Sequence, residues 1–243
     1  ENKDFTITPR LYFNGDLTVQ NEFRQVEKNY ENIIDFSLKN MDSGSKSHLF
    51  ANSKIDLNLD NFDYSDLEIN IETTSHDTYL KTENIKSQRN FDNSAMNSYL
   101  NFEVSRENLG IAIEFKAYED LSKINNSDKF EYVYPNFNIN KSLTTSLDSI
   151  GSLNYQVSGA QRKYETNKTE QLLINDLIFS SNSYFSKFGF INNYDLSFKN
   201  TNKDGENSST YKDELSSSFY SLINFNSSIP LLKKTDNYEK EFI

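Results

Sequence analysis

The stretch NSKIDLNLDNFDYSDLEINIE, residues 52 to 72, is written on two faces. Ile55, Leu57 and Leu59 alternate with Lys54, Asp56, Asn58 and Asp60. Leu67, Ile69 and Ile71 then alternate with Asp66, Glu68, Asn70 and Glu72. A period of two marks strands with one apolar side. The opposite side is wholly polar, so the aliphatic side must be covered by something other than water. A protein core and a lipid phase both qualify.

The same rhythm runs through most of the chain. It carries Phe5, Ile7, Leu11 and Phe13, then Leu17, Val19 and Phe23, then Ile34, Phe36 and Leu38. It returns at Leu100, Phe102 and Val104, at Leu109, Ile111, Ile113 and Phe115, at Phe137 and Ile139, and at Leu153, Tyr155 and Val157. Phe188, Phe190, Tyr194, Leu196 and Phe198 form a long run, and Leu215, Phe219, Ile223 and Phe225 the last. About twelve strands are predicted, many reaching the ~9–11 residues that cross a bilayer at a tilt. Residues 81 to 90 are read as the place for a short helical turn.

Parity favours hairpins. A hairpin must return the apolar set to the same face. Phe13 and Leu17 are both odd, so the loop Asn14-Gly15-Asp16 fits with glycine in a left-handed position. Leu59 and Leu67 are likewise both odd. Longer polar stretches at 76–94, 119–128 and 200–210 separate other strands. Short turns on one side and long polar loops on the other are the habit of outer-membrane barrels.

Composition narrows the choice. Only 35% of the residues are hydrophobic, and the mean hydropathy is -0.74, so segments apolar on both faces are scarce. Aromatic residues make up 14%, which argues against disorder. The formal charge of -11 makes nucleic acid a poor partner, because phosphate binding needs a basic face. Seven glycines and three prolines are few for a sandwich with many tight corners. With no cysteine, disulfides and thiolate zinc sites are excluded.

These features favour an all-β, antiparallel, up-and-down transmembrane β-barrel over a soluble sandwich. Residues 1–243 read as a single barrel region, and both ends resemble the middle of a longer chain. In this reading Ile55, Leu57, Leu59, Leu67, Ile69 and Ile71 face lipid. Glu22, Arg24, Lys54, Asp56, Glu68 and Glu72 line a wet lumen. Tyr30, Tyr64, Tyr79, Tyr118, Tyr132, Tyr134 and Tyr211 fall near strand ends, either as an interfacial girdle or as ordinary rim packing.

Residues 4–24, DFTITPRLYFNGDLTVQNEFR, go beyond pattern. Asp4, Thr6, Thr8 and Pro9, followed by Asn21, Glu22, Phe23 and Arg24, resemble the opening of the barrel in the organic-solvent-tolerance (LptD/OstA) family of lipopolysaccharide-assembly proteins. Ser75-His76-Asp77-Thr78-Tyr79-Leu80 is similar to a short acidic-to-tyrosine segment of that family. Pro135 after Tyr132 and Tyr134 is similar to a proline before another strand. Ser228-Ile229-Pro230-Leu231 is similar to a segment before a polar loop. The resemblance implies part of an outer-membrane barrel, without the periplasmic domain and the C-terminal strands. It implies that the barrel receives lipopolysaccharide from periplasmic bridge proteins, holds a plug lipoprotein in its lumen and releases its cargo sideways into outer-membrane lipid. Pro9 maps near the seam that opens. The alternative for Pro9 is an edge or bulge proline with no gating role. The family's cysteines have no counterpart here.

No chemistry of an enzyme is legible. His48 and His76 read as lumen or loop residues, and neither a nucleophile elbow nor a zinc-protease motif occurs. Asp60, Asp63, Asp66 and Glu68 lack the spacing of a calcium loop and read as a solvated acidic rim. Neither cofactor nor metal is expected. Two rivals remain open: a general porin-like outer-membrane channel, and a soluble extracellular β-rich binding protein.

Overall fold

Alternation becomes ladder along nearly the whole chain. The structure is a computed structural model, and it describes residues 2–41, 44–87, 92–123, 128–235 and 238–242. The strands are β1 (Lys3–Leu11), β2 (Leu17–Val26), β3 (Tyr30–Met41), β4 (Gly44–Asp56) and β5 (Tyr64–Thr74). After one helical turn, α1 (Tyr79–Thr82), come β6 (Ala95–Arg106), β7 (Leu109–Asp120), β8 (Phe130–Leu143), β9 (Gly151–Tyr164) and β10 (Thr169–Ser181). Then follow β11 (Tyr184–Phe185), β12 (Ile191–Glu206), β13 (Ser216–Ser228) and a final hairpin, β14 (Leu231–Thr235) with β15 (Tyr238–Phe242).

Strands β1 to β13 form one 13-stranded sheet, every ladder antiparallel. Each long strand pairs with the next in sequence, and the two-residue β11 continues the β10 side of β12. Among the described ladders β1 and β13 are the outer edges. The architecture is all-β and up-and-down, and among the described strands no Greek-key crossover interrupts it.

Direct pairing gathers many of the large apolar residues into rows on one face. Phe5, Phe23, Ile34, Ala51 and Ile71 form a row across β1 to β5. Leu67, Phe102, Ile113, Phe137, Gly159 and Leu173 form a second across β5 to β10, which runs on into Asn202 and Ser217. Leu143, Leu153, Phe179, Leu196 and Ile223 form a third across β8 to β13. The stripe therefore steps in one direction along the strands, from Ile71 to Leu67 on β5 and from Leu173 to Phe179 on β10. At ~3.4 Å per residue and ~4.8 Å per strand, its slope is about 45° to the hydrogen-bond direction.

This face is not enclosed by a second layer of the chain. Phe5, Ile7, Phe36, Leu38, Ile71, Phe115 and Phe198 are exposed, and Phe219 is 80% exposed. Ile55, Leu67 and Ile69 are half-buried by their own neighbours. The buried apolar cluster lies elsewhere: Phe50 on β4 and Met96 on β6 meet Tyr79, Leu80, Ile85 and Leu121 from the connections.

Local irregularities have local causes. Gly15 sits at φ 89 in the β1–β2 turn, and Tyr12 N–H donates to Asp16 O at 2.9 Å. The turn is odd in length, as parity requires, and centred one residue before the predicted loop. On β8 the ladders skip from Val133 to Asn136, past Tyr134 and Pro135. Proline has no N–H to give a ladder.

Candidate functional site

The densest side-chain chemistry lies on the polar face of β1 to β4. Alternation on β3 sends Asp35, Ser37 and Lys39 to that face. The register sets Asp35 opposite Phe50, Ser37 opposite His48 and Lys39 opposite Lys46. One row of direct neighbours reads Arg10, Thr18, Lys39, Lys46. Three cations thus stand in line on the wall of a chain whose formal charge is -11.

Residues 75–87 fold back over this row. Tyr79 N–H donates to His76 O at 3.0 Å to begin α1. Asn84 takes a left-handed φ of 48, and Ile85 N–H returns to Leu80 O at 2.9 Å. Asparagine tolerates that conformation well. The reversal drives Tyr79, Leu80 and Ile85 onto Phe50. Burying that apolar set against the sheet supplies the hydrophobic part of the contact.

Hydrogen bonds supply the specificity. Tyr79 OH lies 2.8 Å from Ser37 Oγ, which lies 2.6 Å from His48 Nδ1. His48 Nε2 lies 3.2 Å from Asp35 Oδ1. One proton arrangement satisfies the whole chain: Tyr79 donates to Ser37, Ser37 to Nδ1, and Nε2–H to the Asp35 carboxylate. Gln20 Nε2 donates to both Asp35 oxygens, at 3.1 and 3.2 Å, and to Lys86 O at 3.0 Å. The His48 ring stacks obliquely on Phe50 at 4.5 Å between centroids. Asp35, His48 and Ser37 have the residue types of a hydrolase triad. Here Ser37 is 2% exposed beneath a fully buried Tyr79, so with α1 seated these groups act as a fastening.

A second fastening centres on Glu83. Its Oε1 accepts from Lys39 Nζ at 2.9 Å and its Oε2 from Tyr12 OH at 2.6 Å. Its backbone oxygen accepts from Arg10 at 2.7 Å. Lys39 Nζ also lies 3.4 Å from Asp16 Oδ2 and 4.5 Å from the Tyr12 ring centroid. Burial works against the Glu83 charge. The Tyr12 and Lys39 hydrogen bonds, with the fields of Lys39 and Lys46, outweigh it and hold the carboxyl below its ordinary value. Burial pushes the Tyr79 phenol up. Farther along, Lys129 Nζ pins the start of the segment through Asp77 Oδ1 at 2.8 Å while also meeting Glu119 at 2.9 Å.

In the sheet the singled-out polar residues lie on one face, and the singled-out aliphatic residues of β4 and β5 lie on the other. Glu22 and Glu72 share one row of the polar face, through Asp35 and Phe50. Lys54 stands opposite Glu68, and Asp56 opposite Asp66. Arg24 pairs with Glu22 on the same strand. On the opposite face, Ile55 stands opposite Leu67 and Ala51 opposite Ile71. Leu57 and Leu59, however, lie past the end of β4, in the connection to β5. Pro9 stands opposite Val19 on the edge strand β1. The tyrosines divide: Tyr132 and Tyr134 are exposed, whereas Tyr79 belongs to the buried cluster and not to a girdle. The helical turn forms at Tyr79–Thr82, ahead of most of its predicted span. His48 lies on the polar face and is buried, and His76 is exposed in the loop.

Among the described residues no three His, Cys, Asp or Glu side chains are grouped to hold a metal ion. No family model matches this chain, and no curated protein matches it.

Proposed function

We propose that this chain forms part of the wall of an outer-membrane β-barrel in the lipopolysaccharide-assembly machinery, and that the barrel delivers lipopolysaccharide to the outer leaflet. The observation that carries the membrane half of the reading is the exposed, oblique apolar stripe. A horizontal slab of hydrocarbon crossed by tilted strands draws an apolar band oblique to the hydrogen bonds, and barrel strands tilt by roughly 35–45°. The backbone of such a wall is satisfied strand to strand, as hydrocarbon requires. The lipopolysaccharide half rests on the resemblance of residues 4–24 to the organic-solvent-tolerance family. In this reading the polar face lines the lumen, a plug lipoprotein and periplasmic bridge proteins are the partners, and Pro9 weakens pairing at the edge strand β1.

The test is depletion of the protein in its host, with surface lipopolysaccharide measured by probe accessibility. Retention of newly made lipopolysaccharide inside the envelope supports the reading. Unchanged surface delivery removes it.

A second reading draws on the segment 75–87, which lies across the polar wall as a constriction does in a passive channel. Under that reading the intact barrel conducts ions in a planar bilayer without any partner.

A further inference from the structure

The Arg10–Thr18–Lys39–Lys46 row is unusual in three ways. First, Lys39 and Lys46 are directly opposed like charges, an arrangement that destabilises a ladder unless an anion sits in front of it. Second, the anion nearest Lys39 is the chain's own Glu83, and Glu83 is carried by a loop rather than by the sheet. Third, Thr18 lies in the middle of the row, fully buried, and its Oγ1 finds no hydrogen-bond partner. A buried unpaired hydroxyl is costly. Asp16 remains on the wall beside Lys39 and offsets one of the three cations.

We propose that this row is a binding site for a phosphate group, occupied in this structure by the Glu83 carboxylate as a built-in competitor. A phosphate carries more charge than a carboxylate and more acceptor oxygens. Placed where the Glu83 carboxylate stands, it accepts from Lys39 Nζ and the Tyr12 hydroxyl, lies in the field of Lys46 and can take the idle Thr18 hydroxyl. Arg10 is released from the Glu83 carbonyl to join it. The loop then lifts, and Tyr79 leaves Ser37. Ligand entry and release of residues 75–87 are thereby one equilibrium, and the apparent affinity is the intrinsic affinity multiplied by the fraction of molecules in which Glu83 is unseated. The phosphate can come from a lipid headgroup or from the free ion. The assignment to a glycolipid headgroup rests on the transport reading above, whereas the anion site itself does not.

The experiment is titration of the full folded chain in maltoside micelles, followed by calorimetry. The probes are inorganic phosphate, micelles doped with phosphatidic acid, and micelles doped with phosphatidylcholine as the control. Glu83→Gln removes the competitor's charge and is expected to tighten phosphate binding by about tenfold or more. Adding Lys39→Gln to that variant is expected to abolish the gain. Tightening for both phosphate probes supports a general phosphate site, and tightening for phosphatidic acid alone supports a headgroup site. Equal affinity in wild type and Glu83→Gln for both probes overturns the proposal. Should Glu83→Gln fail to fold, hydrogen exchange of residues 79–87 in the wild-type chain decides. Faster exchange with phosphatidic acid but not with phosphatidylcholine supports the site, and no change overturns it. None of these readouts involves lipopolysaccharide export, so failure here leaves the depletion test of the transport reading untouched.

Discussion

Lys39 and Lys46 face each other across β3 and β4, and the Glu83 carboxylate lies 2.9 Å from Lys39 Nζ in front of them. The loop is thus held to the wall partly by a charge that the wall itself requires. Because the Glu83 carboxyl titrates below its ordinary value, the attachment depends on pH in a definite direction. A carboxyl depressed in the folded state contributes its stability above the unfolded value, here 4.5, and loses it as pH falls through the folded value. The Glu83 contribution to exchange protection of residues 79–87 should therefore be constant from neutrality to about pH 5 and fall below it. In Glu83→Gln the Glu83 contribution to that acid limb should vanish.

The two fastenings should separate by mutation. Tyr79→Phe removes one hydrogen bond to Ser37 and is expected to cost about 0.5–1.5 kcal/mol. Leu80→Ala empties part of the buried cluster and is expected to cost about 2–5 kcal/mol. Both losses should appear as faster exchange within residues 76–87, while amides of β9, β10 and β12 stay protected.

Gly159 has a packing role on the apolar face. A Cβ there would meet the Phe137 ring at 2.8 Å and Leu172 O at 3.0 Å. Gly159→Val should cost about 1–3 kcal/mol, read from urea unfolding in detergent. Phe137→Leu should recover part of that loss by opening the space.

The two faces should respond oppositely to charge. Ile69→Lys places an ammonium on the apolar stripe and should cost ~2–4 kcal/mol of folding free energy in a bilayer. Glu103 stands opposite Asp66, carboxylate against carboxylate, so Glu103→Lys replaces a repulsion by an attraction and should be tolerated. Folding yields into preformed vesicles measure both.

Much of this architecture is legible in the sequence because period-two alternation survives in most strands. Ile55, Leu67, Ile69 and Ile71 share a face as alternation demands, and so do Lys54, Asp56, Glu68 and Glu72 on the other. Reading fails where tertiary contact decides. Residues 76–94 look like a polar spacer, yet Tyr79, Leu80 and Ile85 within them are among the most buried side chains of the chain. The signal was present as three large apolar residues in a polar loop, but what they cover includes Phe50 on β4, a meeting that only the fold decides. The Lys39–Lys46 opposition is equally invisible before the β3–β4 register is known. Alternation also misleads at Leu57 and Leu59, where it continues past the last ladder pair, and at Pro135, where an irregular step shifts the parity of β8.

The proposed function requires the exposed apolar stripe to face acyl chains. The chain has no cysteine, so a single reporter can be placed anywhere. Nitroxide labels at Ile69→Cys, Ile113→Cys and Ile223→Cys, and at Asn101→Cys and Asn138→Cys on the other face, should be compared in reconstituted vesicles. The account predicts that the first three are accessible to oxygen dissolved in the lipid and shielded from a water-soluble paramagnetic reagent, with the reverse for the other two. Labels at 69, 113 and 223 that are shielded from both reagents, in a chain folded in water without lipid, would contradict it.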